Sequence, residues 1–198
     1  MKANAIQCRR GWLIVVLTAL VALVVGCGKN AKNEQQYWTN HQQEMTEFEQ
    51  KWPGFKALLD VRKAKAQPMW DEAQKISDEE QKAEKMAAAN AALFEGLPSK
   101  MSEIKYKSQG IESTIKKLNG LKLPKSKQST RSDAVSRAMR AVSEVDEAMR
   151  NAKPANEQEA LALVDDQVSK LISEAGAADR AYSSLNAKPS KGKKGNKK

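Results

Sequence analysis

Two thiols, Cys8 and Cys27, and one imidazole, His41, are the side chains of this 198-residue chain best equipped for nucleophilic or metal chemistry. A thiol can attack an acyl or alkyl donor, close a disulfide or ligate a metal. Zinc and haem sites draw on several cysteines and histidines together, so a single imidazole predicts no metal and no cofactor. No Glu-x-x-His pair is present for a di-iron bundle, and no serine shares a recognisable motif with His41. A glycine-rich phosphate loop is also missing. The carboxylates recur at helix-surface spacing and read as solvated faces. Trp38, Trp52 and Trp70 could form an aromatic platform for a sugar or peptide, but Trp38 and Trp52 are two heptads apart, the spacing of core knobs. The remaining cluster is cationic. Lys188, Lys191, Lys193, Lys194, Lys197 and Lys198 lie within eleven residues and form a candidate anion-binding tail.

The surroundings of Cys27 decide which thiol chemistry is expected. Lys2, Arg9 and Arg10 precede an apolar run from Trp12 to Val25, which ends in Leu23-Val24-Val25-Gly26-Cys27. A basic start, a short apolar core and small residues before a cut define an export signal. The fourteen residues of this run, all apolar but Thr18, fall short of the roughly 20 that a membrane-crossing helix needs. The motif, aliphatic Val24, small Gly26 and then the cysteine, resembles the lipobox of bacterial lipoproteins, and the likeness covers residues 1–27 alone. It implies cleavage before Cys27 and acylation of that thiol by chains such as palmitate. Gly28, which is not an aspartate, implies the outer membrane, facing the periplasm. Arg9-Arg10-Gly11-Trp12-Leu13 resembles a twin-arginine signal only faintly. Cys8 leaves with the signal, so the mature chain has one thiol, consumed by the lipid, and can form no internal disulfide. Two or three acyl chains hold a protein at a membrane where one is marginal.

Charge separates in the same way. The chain carries 34 Lys+Arg against 24 Asp+Glu, net +10. Three positive charges belong to the segment before residue 11 and six to the segment after residue 187, which leaves +1 for residues 11–187. A nucleic-acid-binding fold usually presents a basic face of its own, so no nucleic acid is expected as partner.

Elements that could position these groups are helical. Residues 27–34 form a lipidated polar tether, whose seven residues after the cysteine reach at most about 25 Å. From about Glu34 to Lys51, Trp38, His41, Met45, Phe48 and Trp52 fall on one helix side, and Trp52-Pro53-Gly54 interrupts it. Phe55, Leu58, Leu59 and Val61 restart an apolar face that fades near Ala66, and Pro68 reads as the first turn of a new helix. Its seam runs through residues 69, 73, 76, 80, 83, 87, 90 and 94, interrupted at Glu80 and Asn90, with Ser77 and Glu80 as a candidate capping box. Gly96-Leu97-Pro98-Ser99 stops that helix and caps the next, which carries Met101, Ile104, Ser108, Ile111, Ile115 and Leu118 as far as Asn119-Gly120.

A loop is expected over residues 121–130 and a helix from Thr130 or Asp133, with Val135, Ala138, Val142, Val145 and Met149 on its seam. Asp133 with Arg137, and Asp146 with Arg150, have the i, i+4 spacing of surface ion pairs. After the turn Lys153-Pro154-Ala155, Asn156 caps a last helix with Leu161, Val164, Val168, Leu171, Ala175, Ala178, Tyr182 and Leu185 at unbroken 3, 4 spacing. So short a turn requires an antiparallel hairpin. Residues 188–198 have no apolar side chain to bury and are expected to be disordered.

The expected fold is therefore all-α: an elongated antiparallel helical bundle or coiled coil over residues 35–187, with a signal peptide at 1–26 and a basic tail at 188–198. The expected function is that of a lipid-anchored cell-envelope protein, not an enzyme, that serves as a helical spacer or binds a protein partner. One alternative is a peptidoglycan tether through the C-terminal lysines. The layout is similar to that of outer-membrane lipoproteins joined to the wall by their last lysine, although the Tyr-Arg-Lys ending of those proteins is missing here. Another is a small-ligand binder or enzyme that uses the tryptophan-lined part of the bundle.

Overall fold

A computed structural model of the chain describes residues 30–187. Its six α-helices, with no strand among the described residues, make the chain an all-α helical bundle. We label them α1 (30–51), α2 (Lys56–Gln74), α3 (Glu79–Phe94), α4 (Leu97–Asn119), α5 (Lys125–Asn151) and α6 (Glu157–Asn186), with a 3-10 turn at Pro53–Phe55. They fall into two compact units where one bundle over 35–187 was expected. The first holds α1, α2 and α3. The second holds α4 from Ser99 onward, α5, α6 and the short stretch Trp52–Phe55.

Within the first unit the helices run up, down and up. Trp38 stacks on Trp70, Gln42 donates to Gln67, and Glu49 pairs with Lys63. The α2 number falls as the α1 number rises, so these two helices are antiparallel. Asn90 meets Glu34 and Phe94 meets His41, both numbers rising together, so α3 runs parallel to α1. Trp38, Met45, Phe48, Leu59, Ala66, Trp70, Met86 and Leu93 are buried. Val61, expected on the apolar face, is 67% exposed.

Two expectations for this unit require correction. The helix that was to begin at Pro68 begins at Lys56 and runs through the proline. Ala66, Trp70 and Ala73 bury the opposite side of α2, while Pro68 and Ala64 are exposed, so water can serve the carbonyl that proline leaves without a donor. The long seam from residue 69 to residue 94 is broken at residues 75–78, where Asp78 rather than Ser77 caps α3 by accepting from the Gln81 amide at 2.8 Å. The break resets the register. Met86, Ala89, Asn90 and Leu93 face inward, and Ala87 is exposed.

The second unit repeats the up, down, up arrangement. Lys100 lies 3.3 Å from Asp165, and the Thr114 hydroxyl donates to Asp179 at 3.0 Å. The offset is the same 65 residues in both pairs, so α4 and α6 are parallel. Helix α5 returns between them through the short connections on either side of it. Ile104, Ile111, Leu118, Ala138, Val145, Met149, Val164, Val168, Leu171, Ala178 and Leu185 are buried, which matches the expected seams of all three helices. Asn156 caps α6 by accepting from the Glu159 amide at 2.9 Å.

Two boundaries and one ion pair differ from the sequence reading. Helix α4 starts at Leu97, before Ser99, because Gly96 takes the left-handed conformation (φ 78°) and turns the chain ahead of it. The expected loop 121–130 is helical from Lys125, behind Pro124, whose fixed φ suits the helix start. No apolar residue between 125 and 133 marks that extra length. Arg137 pairs with Glu174 in place of Asp133, whereas Asp146 and Arg150 do meet, at 2.6 Å. Trp52 donates its indole N–H to Asp146 at 3.1 Å. Gly54 lies so close to the α5–α6 turn that a Cβ there would stand 1.8 Å from the Ala152 carbonyl oxygen.

Candidate functional site

Cys27 and the six tail lysines, with the expected disorder of that tail, lie outside the described residues. The first described helix lies just beyond Cys27. Helix α1 is under way at residue 30, inside the stretch expected to be a tether to residue 34. Ala31 is already buried, and the Glu34 backbone carbonyl accepts from Asn90 at 3.1 Å. Gly28 and Lys29 are all that separate Cys27 from residue 30, so three Cα–Cα steps, at most about 11 Å, connect the cysteine to the described helix.

The candidate tryptophan platform is a packed core. Trp38 and Trp70 lie face to face with centroids 4.5 Å apart and planes 5° apart, and only 6% and 7% of their surfaces reach solvent. Trp52 is more deeply buried and belongs to the other unit. His41, expected on the Trp38–Trp52 helix side, lies on the Phe94 ring at 3.9 Å with Tyr37 stacked 6.2 Å away on the same helix. Its Nδ1 is buried without a hydrogen-bond partner, and burial holds the imidazole below its ordinary pKa against the opposing pull of Glu44 and Glu34.

A second feature was not visible in the sequence. On the α5–α6 flank, Arg137, Arg140, Glu144, Lys170, Ser173 and Glu174 line a cleft of about 240 Å³ with Ala141 and Val145 at its base. Arg137 Nε approaches Glu174 Oε2 to 3.1 Å, but the N–H does not point at that oxygen, which is buried and accepts no hydrogen bond. Lys170 is engaged by Asp166 at 3.3 Å. The cleft offers charge of both signs but no base beside Ser173 to make it a nucleophile. These residues are charged positions on the outer flanks of two amphipathic helices, indistinguishable in a one-dimensional pattern from ordinary solvated faces.

Among the described residues no group of three or more His, Cys, Asp or Glu side chains could hold a metal ion, and no helix is long and apolar enough to cross a membrane. The search for relatives is equally spare. No protein family, curated protein or solved structure matches the chain. Its function has to be argued from its own residues.

Proposed function

We propose that this chain is a lipid-anchored cell-envelope protein that presents helical surfaces to protein partners and catalyses no reaction. The observation that carries the reading is the sequence Leu23-Val24-Val25-Gly26-Cys27 at the end of a short apolar run, followed within three residues by helix α1. A lipid on Cys27 would hold the first turn of the bundle within about 11 Å of the headgroups, which suits a protein that works at a membrane surface.

Replacement of the thiol tests this reading. Wild-type chain expressed in a bacterium should incorporate labelled palmitate and fractionate with the envelope. Cys27→Ser should take up no label and accumulate as the uncleaved precursor. A Cys27→Ser chain that is cut at the same place and stays membrane-bound would remove the basis for the anchor.

A further inference from the structure

Residues 11–187 are almost neutral in sum, yet the fold of the second unit does not spread its charge evenly. Helices α4 and α6 are parallel and α5 is antiparallel, so the end of α4, the start of α5 and the end of α6 share one pole. Residues 113–132 contribute Lys116, Lys117, Lys122, Lys125, Lys127 and Arg131 to it, with no acid among them. Arg180 adds a seventh cation in the last turns of α6, next to Asp179, which accepts from Thr114, and no acid follows it in the chain. The five lysines are exposed, and none has an ion-pair partner among the described residues. The opposite pole is mixed: Asp146, Glu147, Glu157 and Glu159 surround the α5–α6 turn together with Arg150 and Lys153, and Arg150 pairs with Asp146.

The start of α5 carries part of this charge without an acid in its first turn, as the starts of α2 and α4 carry Lys56 and Lys100. The first turns of α3 and α6 follow the rule for a helix N-terminus, with side-chain caps at Asp78 and Asn156 and acids behind them. Helix α5 has Pro124 at its cap with no side-chain hydrogen bond, no acid in its first turn, and Lys125 and Lys127 facing the positive end of the helix dipole.

We propose that this pole docks on the surface of an anionic lipid bilayer. The tip between α4 and α5 reads Gly120-Leu121-Lys122-Leu123-Pro124-Lys125, and Leu121 and Leu123 remain partly exposed between the lysines. Half-exposed leucines set among lysines gain from a headgroup boundary, where apolar side chains find hydrocarbon and the ammonium groups find phosphate. A soluble polyanion would use the lysines and leave the leucines in water. Residues 113–132 contain no aromatic side chain on which a nucleic-acid base could stack. The inference stands without the lipid on Cys27, because it needs only the folded second unit.

Vesicle flotation with the full chain tests it. The quantity read is the excess binding to vesicles of equal parts phosphatidylcholine and phosphatidylglycerol over binding to phosphatidylcholine alone. The subtraction removes the contribution of the apolar run near the N-terminus. The combined variant K116Q/K117Q/K122Q/K125Q/K127Q should lose that excess by roughly tenfold or more, since each lysine near such a surface adds to the attraction. The pair K125E/K127E separates binding from folding. It should melt at the same or higher temperature, because acids suit a helix start, while its excess binding falls. L121S/L123S should weaken binding to the mixed vesicles but leave competition by soluble polyphosphate unchanged. Glutamine variants that bind as the parent does would overturn the proposal, as would loss of the excess only when residues 188–198 are removed. Leucine variants indistinguishable from the parent would also overturn it, in favour of a soluble polyanion.

Discussion

His41 and Asn90 show how a single residue acquires its role from a partner far along the chain. Asn90 looked like an interruption of an apolar seam. It is buried, and its amide donates to both the backbone and the carboxylate of Glu34, 56 residues away. No helical period reveals such a pairing, because the partner is fixed by how α3 lies on α1. His41 was legible as a seam residue, but its lost hydrogen bond and its Phe94 neighbour were not. Because burial lowers its pKa in the folded state, the unfolded chain takes up its proton first as pH falls. Stability from this group is therefore complete above about 6.5, its ordinary value, and is lost as pH drops from there through the lowered folded value. Urea midpoints measured at about pH 7.5 and about pH 5.5 should show the parent losing more stability than His41→Phe, which keeps a ring on Phe94 but has no proton to bind. Identical losses in the two chains would exclude His41 as the source.

At the scale of elements, the sequence was most readable where burial is one-sided and continuous. All eight α6 seam positions are buried or half-buried, and Leu171 at its centre is fully so. Leu171→Asp should cost about 3 kcal/mol or more, since the carboxylate would sit dry and unpaired. Ser173→Asp, two residues along on the exposed flank, should stay within about 0.5 kcal/mol of the parent. Chemical denaturation of both variants checks the pair, and equal losses would contradict the packing. Legibility failed at the ends and breaks of helices. The start of α5 has no apolar residue to signal it, and the interruption after Gln74 shifts the α3 seam by one position, from Ala87 and Phe94 to Met86 and Leu93. Periodicity carries no information about where one helix stops and another resumes in a new phase. The Asp78 cap, a local hydrogen bond, sets that phase.

Two three-helix units account for the described residues, but the division does not follow the order of the chain. Composition foretold the helices and the polar ends, whereas the division depends on contacts between residues about 90 positions apart, which no local pattern displays. Trp52–Phe55 joins α1 to α2 and yet belongs with α4, α5 and α6. Its indole bonds to Asp146, and Gly54 fits only against the backbone at Ala152. Time therefore enters the architecture. A chain that emerges from a ribosome or an export channel with its N-terminus first delivers α1, α2 and α3 well before the residues that receive this connector. Trp52 and Phe55, almost wholly covered in the finished protein, must wait uncovered until about a hundred further residues have arrived. A chain stopped at Pro98 should show that waiting state. Its Trp52 emission, isolated by comparison with Trp52→Phe, should be shifted to the red, and it should bind an apolar dye that the full chain ignores. Blue-shifted emission in the stopped chain would mean that the connector finds cover without its partners. Otherwise the interval between the two units is one in which an attendant chaperone has a defined sequence to hold.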